Sequence, residues 1–335
     1  MPTISAGDKV LVSGANGFVA AWVVRRFLEK GYAVRGTVRS ADKGKFLEDL
    51  FKQYGERFEE GAFDEAVKGI DAIAHTASPF YMNAASVDEL IGPAVNGTVG
   101  ILKSAVKCGQ NLKRIVVTSS CVSILEVGID KVFSELDWNE LSIREVKEQG
   151  DNASGFSKYF ASKTLAEKAA WEFYEKSRSE IKWDLSVLNP SLIFGPAIHD
   201  VKSPEALNTS ARMWYEAVLV DGKSKDFLTV QGAIYVDVRD AAEAHVLALE
   251  KEAAGGERII INAGDGKIGV IDVANALSPS PIPSHTPLPV GYPGVPWKSP
   301  GEFDNAKGAR ILGLKYRTKE ELTRDTLADF EKRGW

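Results

Sequence analysis

The 335-residue chain is short of metal and thiol chemistry: two cysteines (Cys108 and Cys121), four histidines and three methionines. Two thiols cannot build a disulfide framework or a structural zinc site. No CxxC or HxxxH spacing links them with His75, His199, His245 and His285, so no metal is expected. Charge of one sign is also lacking. The 41 Lys and Arg against 46 Asp and Glu leave a formal net charge of -5, a poor match for nucleic acid or an anionic membrane. No stretch approaches the ~18 apolar residues of a membrane helix. The first nine residues lack the basic and apolar regions of a signal peptide, and Phe330–Trp335 matches no lipidation or retention tail. A reducing, cytoplasmic setting is the expectation.

What is present is 44% hydrophobic residues in a chain long enough for one large α/β domain or two lobes. Short apolar segments at 9–13, 32–38, 71–75, 114–118 and 183–188 alternate with helical patterns, notably at 87–108 and 159–177. Strands alternating with helices imply parallel pairing, because a parallel crossover needs a dozen or more residues. The pattern predicts a doubly wound parallel (Rossmann) sheet over residues 1–190. Residues 191–335 form mainly a smaller C-terminal substrate lobe, with chain returning to the sheet around 233–251. In that second portion, helices are expected at 204–220, 238–251, 305–312 and 319–333, and strands at 233–236 and 258–261. Eight of the fourteen prolines fall between Pro279 and Pro300, which excludes regular helix or central strand there.

Ser13-Gly14-Ala15-Asn16-Gly17-Phe18-Val19-Ala20 follows the first strand and opens the first helix. Gly14 permits a tight turn, and Gly17 lets backbone approach a pyrophosphate held at the helix's positive end. Ala20 replaces the third glycine of the usual fingerprint and still allows close helix–sheet packing. The next strand ends Val38-Arg39-Ser40, with Lys43 beyond and no acidic residue between Tyr32 and Ser40. A site selective for NAD places a carboxylate there, whereas a guanidinium binds a 2′-phosphate, so NADP(H) is the expected cofactor. The competing reading makes Arg39 and Lys43 ordinary solvated charges.

Tyr159 and Lys163 stand at i and i+4, neighbours on one helix face. A carbonyl receiving hydride needs a proton on its oxygen, and a nearby cation lowers the pKa of a phenol. Thr118-Ser119-Ser120 ends a strand, where such sheets place ligands, and a serine hydroxyl there can hydrogen-bond a carbonyl. No GxSxG elbow surrounds it.

These motifs, with Asn96-Gly97-Thr98, Asn189-Pro190, Gly195-Pro196 and Tyr235 to Asp240, occur in one order that resembles the extended short-chain dehydrogenase/reductases. Within them the chain is similar to fungal NADPH-dependent aldehyde and ketone reductases and to dihydroflavonol and cinnamoyl-CoA reductases. The resemblance implies Tyr159 as proton donor, Lys163 on the nicotinamide ribose, and Ser120 orienting the carbonyl. Asn96 either holds a relay water or pins helix backbone, with the supporting role favoured. Ala77 and Ser78 would line the cofactor cleft, with Thr118 nearby, and Pro190 to Leu192 would lie on the carboxamide. Phe80, Tyr81, Met213 and Trp214 are candidates for the substrate wall or for plain packing. His245 reads as packed and Asp237 to Asp240 as structural. A small aldehyde or ketone is the expected partner, for a monomer or homodimer.

One departure from the family pattern stands out. Arg57-Phe58-Glu59-Glu60 runs straight into Gly61-Ala62-Phe63, so most of the family's third strand, with its adenine-facing acid, reads as absent. Either the strand is deleted or the sequence has a gap. The gap is favoured, because a lost strand would uncover apolar faces. The alternatives in function are an NAD-retaining nucleotide-sugar epimerase or dehydratase and a non-catalytic dinucleotide sensor.

Overall fold

The structure, a computed structural model, describes residues 3–61, 63–230, 234–264, 269–292 and 301–335. Its first half runs β1 (Lys9–Ser13), α1 (Phe18–Glu29), β2 (Ala33–Thr37), α2 (Ala41–Phe51), β3 (Phe58–Gly61), α3 (Phe63–Ala66), β4 (Ala72–His75), α4 (Asp88–Cys108) and β5 (Arg114–Thr118). Then come β6 (Val132–Phe133), α5 (Glu140–Gln149), α6 (Gly155–Ser177), β7 (Asp184–Pro190) and β8 (Leu192–Phe194). The remainder is α7 (Thr209–Leu219), α8 (Lys225–Val230), β9 (Tyr235–Asp237), α9 (Val238–Glu250), β10 (Arg258–Ile261), α10 (Val270–Ala276), β11 (Glu302–Phe303), α11 (Ala306–Leu312) and α12 (Lys319–Arg333).

Seven strands form one parallel sheet in the order β10-β7-β5-β4-β1-β2-β3. The order reverses direction between β1 and β4, the switch point beside which such sheets bind ligands at their carboxyl ends. A parallel sheet is covered on both faces, so both sets of alternating residues are apolar. Val10 and Val12 of β1, with Ala72 and Ala74 of β4, pack against α1 and α9. Leu11 and Ile73 point the other way, into a core with Ile101 and Leu102 of α4 and Ala170 and Tyr174 of α6. The fully buried Arg114 of β5 ties this frame together: its guanidinium pairs with Asp184 of β7 and donates to the carbonyls of Ala248 in the last turn of α9 and of Lys251 and Glu252 just beyond it.

The third strand is present. β3 is four residues long and pairs with β2 from Val34–Phe58 to Thr37–Gly61. Phe58 packs its ring 5.4 Å from that of Phe51 at the end of α2, and Glu59 accepts from Lys9 and Arg35. An edge strand needs only one hydrogen-bonded neighbour, so four residues suffice to cover β2. The strand that reads as mostly absent is thus present as a shortened edge.

A second core joins Phe194, Trp214, Tyr235, Ile282, Leu322 and Phe330 from the short strands, helices and loops beyond β7. Trp214 is 1% exposed, its ring 5.9 Å from that of Phe330, so it is a core residue of this lobe and not part of a substrate wall. Asp237 caps α9 and pairs with Arg239, which also reaches Asp325 of α12, while Asp240 pairs with Arg317. The helix expected at 204–220 splits into a short turn at Pro204–Ala206 and α7, because Asn208 is extended. Of the proline-rich stretch, 279–292 holds one short turn, Pro283–His285; Pro293, Pro296 and Pro300 lie outside the described residues, as does Ala233 of the expected strand. Among the described residues, no helix is long and apolar enough to cross a membrane, and no group of three potential metal ligands occurs.

Candidate active site

The carboxyl ends of β1, β4, β5 and β7 open onto one cleft of about 1140 Å³ that continues toward α7. Gly14, Gly17, Phe18 and Val19 line it from the first turn, Thr76, Ser78 and Phe80 from the segment after β4, Thr118 and Ser120 from the end of β5 and the loop after it, Pro190 from β7 and Leu192 from β8. Tyr159 and Lys163 enter from α6.

The first turn is built for close approach. Gly14 has φ +65°, and a Cβ there would lie 3.1 Å from the Cβ of Ala77. Ala77 is held at that spot because Ser13 Oγ accepts its backbone N–H, as it does that of Thr76. Gly17 sits at the N-cap of α1, where no side chain caps the helix and no acidic residue occupies the first turn. The helix thus presents uncapped amides and positive potential to the cleft, which fits the pyrophosphate of a dinucleotide.

The catalytic candidates meet by geometry. α6 begins at Gly155, a turn earlier than expected, since Ser154 accepts from Ser157 N–H and caps it. Tyr159 and Lys163 then fall on its buried face, at 6% and 7% exposure. The ring of Phe80 lies 4.9 Å from that of Tyr159. Burial pushes the Tyr159 phenol above its ordinary value, and only the Ser120 hydroxyl pulls it back. The expected lowering by Lys163 is not found: the loss of solvation dominates, leaving the phenol in its proton-bearing form. Burial also lowers the Lys163 ammonium, to about 8, against the raising effect of Glu167 one turn along. Lys163 therefore still carries its proton at neutral pH.

Glu167, which the sequence reading passed over, organises the floor of the site. Its carboxylate is fully buried and accepts from the hydroxyls of Ser119 and Ser123, from Asn189 Nδ2 at 2.8 Å and from Arg258 Nε at 2.6 Å. Arg258 in turn lies 3.6 Å above the Trp138 ring and donates to the carbonyls of Glu135 and Asp137. One carboxylate thus fixes the loop carrying Ser120, the end of β7 and the helix carrying Lys163. A Glu four residues past a Lys is common on helices, which is why the pattern alone did not distinguish it.

Other expected residues fall elsewhere. Asn96 is exposed on α4 and is not among the cleft residues, because Ala94 and Thr98 take the buried face and a position two residues from each points outward. Its side chain therefore lies outside the cleft. Tyr81 also stays outside, donating its hydroxyl to the Glu89 carbonyl. Asn16 belongs to the first turn without lining the cleft, and Ala77 supports Gly14 from behind. Arg39 is exposed just past β2, and Lys43 on α2 pairs with Asp200 at 3.3 Å; both lie beyond the described lining. Met213 does line the cleft, joined by Met82, Val122, Leu125, Phe156, Phe160 and Phe227, which carry no readable spacing in the sequence.

A doubly wound sheet with a glycine turn at the switch point and a Tyr/Lys pair at its carboxyl edge defines a dinucleotide-cleft oxidoreductase fold. The chain belongs to the NAD dependent epimerase/dehydratase family, which it matches over residues 10–264, and with it to the extended short-chain dehydrogenase/reductases. It is 33% identical to the NADPH-dependent methylglyoxal reductase GRE2 of Saccharomyces cerevisiae, over 96% of this chain and 98% of that protein. It is 31% identical to the cinnamoyl-CoA reductase CAD2 of Medicago truncatula, over 99% and 98% of the two chains. The crystal structure of Gre2 from Candida albicans in complex with NADPH superposes with a TM-score of 0.84 at 32% identity, covering 97% of this chain and 99% of that one.

Proposed function

We propose that this protein is an NADPH-dependent carbonyl reductase that converts an aldehyde or ketone to an alcohol. The observation that carries the reading is the convergence of Ser120, Tyr159 and Lys163 on the cleft that begins at the uncapped glycine turn. The dinucleotide, when bound, supplies the hydride. Ser120 and the Tyr159 hydroxyl hold the substrate oxygen, and Tyr159, kept protonated by burial, gives it a proton. Lys163 keeps a positive charge beside that transfer and offers donors to the ribose. Phe80 and the apolar side chains around it exclude water from the reacting carbon.

The charged side chains lining the described cleft are Lys163 and Glu145 alone. The helix amides are taken by the dinucleotide and the rest of the lining is mostly apolar, which favours an uncharged, largely apolar carbonyl compound over the diphosphate of a nucleotide sugar. The sensor reading leaves the buried Tyr/Lys pair without a task. Such a reductase would act in the cytoplasm as a monomer or homodimer. Loss of absorbance at the NADPH band on adding a panel of apolar aldehydes and ketones tests the reading. Protein purified with tightly held NAD and turning over a nucleotide sugar would replace it.

Selection of NADPH rests on Arg39, with Lys43 behind it. Arg39→Ala removes a guanidinium from the end of β2 and should raise KM for NADPH about tenfold while leaving KM for NADH nearly unchanged. Equal effects on both cofactors would remove Arg39 from the 2′-phosphate site.

A further inference from the structure

His245 on α9 is 1% exposed and takes part in no step described so far. Its ring bridges two oxygen atoms: Nδ1 lies 2.7 Å from the carbonyl of Ala241, and Nε2 lies 2.7 Å from the hydroxyl of Thr118. A carbonyl oxygen only accepts, so Nδ1 carries the ring proton and donates it. Burial lowers the imidazole to about 4, so the ring is neutral near pH 7. A neutral ring protonated on Nδ1 has only a lone pair at Nε2. Thr118 must therefore donate its hydroxyl proton to His245, and what remains of that oxygen is two lone pairs. Thr118 stands at the carboxyl end of β5 and lines the cleft between the glycine turn and Ser120.

We infer that His245 is a positioning residue that makes Thr118 an obligate hydrogen-bond acceptor for a donor on the nicotinamide riboside half of the cofactor, either a ribose hydroxyl or the carboxamide N–H. A free threonine hydroxyl rotates and serves as donor or acceptor alike. Fixing it as an acceptor removes that choice before the cofactor arrives, so no reorientation is needed on binding. The polarity runs one way along the whole chain, from cofactor donor to Thr118, from Thr118 to His245, and from His245 to the Ala241 carbonyl. The inference rests on the dinucleotide reading of the cleft, and its test separates the two.

The first measurement needs no cofactor. In the free protein, nitrogen NMR of the histidines should show His245 protonated at Nδ1 and bare at Nε2; the opposite tautomer, or a charged ring at pH 7, overturns the inference. The second is calorimetric binding of NADP⁺. If the unsubstituted protein binds none, the dinucleotide reading itself fails, whatever the tautomer. Thr118→Val and His245→Leu should each weaken binding by roughly three- to tenfold, the share of one neutral hydrogen bond, and the double variant should weaken it no further than either alone. His245→Gln should restore most of the loss, because its amide nitrogen and oxygen sit one atom apart as the two ring nitrogens do. Thr118→Ser, which keeps the hydroxyl, should do the same. Unchanged affinity in Thr118→Val, or additive losses in the double variant, overturns the inference even if His245→Leu folds poorly. The acetylpyridine analogue of NADP⁺ lacks the carboxamide N–H. A Thr118→Val penalty that vanishes with this analogue supports the carboxamide as donor, and one that persists supports a ribose hydroxyl.

Discussion

Tyr159→Phe will lower kcat by ~10²-fold or more while leaving NADPH affinity within a few-fold of the unsubstituted protein. The substitution removes one oxygen from a ring that is otherwise held by packing, between Phe80 and Phe160. Nothing about the glycine turn or the end of β2 changes, so binding of the cofactor should persist. What is lost is the proton source beside Ser120. Among the described residues lining the cleft, the other ionisable groups are Lys163, Cys121 and Glu145. Lys163 serves the ribose in this reading, and burial raises the Cys121 thiol, whose hydrogen bond goes to the Asn189 carbonyl. Stopped-flow reduction of an apolar aldehyde, with NADPH binding followed by fluorescence, measures both quantities. Turnover close to normal would exclude Tyr159 as the donor.

The second large effect is on stability. Glu167→Ala will destabilise the protein by about 3–5 kcal/mol, because it strands a buried partner charge. Arg258 keeps its place above Trp138 but loses its counter-ion, and the amide of Asn189 and the hydroxyls of Ser119 and Ser123 lose their shared acceptor. Glu167→Gln keeps the shape, removes the charge and should cost less. Thermal unfolding of the three proteins orders them as wild type, Gln, Ala. A melting temperature for the Ala variant within a degree or two of wild type would show that Glu167 and Arg258 are not coupled through the interior. Since the same carboxylate tethers the Ser120 loop, the Gln variant should also lose turnover at temperatures where it remains folded.

Much of this site was legible in the sequence because its parts obey local rules. The glycine turn, the i, i+4 spacing of Tyr159 and Lys163 and the strand end at Thr118 to Ser120 are each written within a few neighbouring residues. The sheet was legible for the same reason: each strand is a short apolar run set apart by a helix. Where long-range packing decides, the sequence was silent or misleading. Trp214 and Met213 are adjacent on α7, yet one faces the lobe's interior and the other the cleft, and only the position of α12 settles which. Asn96 sits in a recognisable triplet, but the phase of α4 turns it outward. β3 reads as mostly absent because an edge strand can be very short and because its four residues, Phe58-Glu59-Glu60-Gly61, hold a single apolar side chain. Glu167 makes its contacts with residues 22 to 91 positions away, beyond any spacing code.

The interleaved course of the chain has one more outcome. β10 docks beside β7 only after α7, α8 and β9 have been laid down in the neighbouring lobe, and Arg258 on β10 then reaches back to α6. A ribosome that has released only the first 190 residues has therefore made a sheet with a naked flank and a carboxylate lacking its guanidinium. The edge of the sheet and the ion pair beneath the site both wait for the chain beyond residue 250.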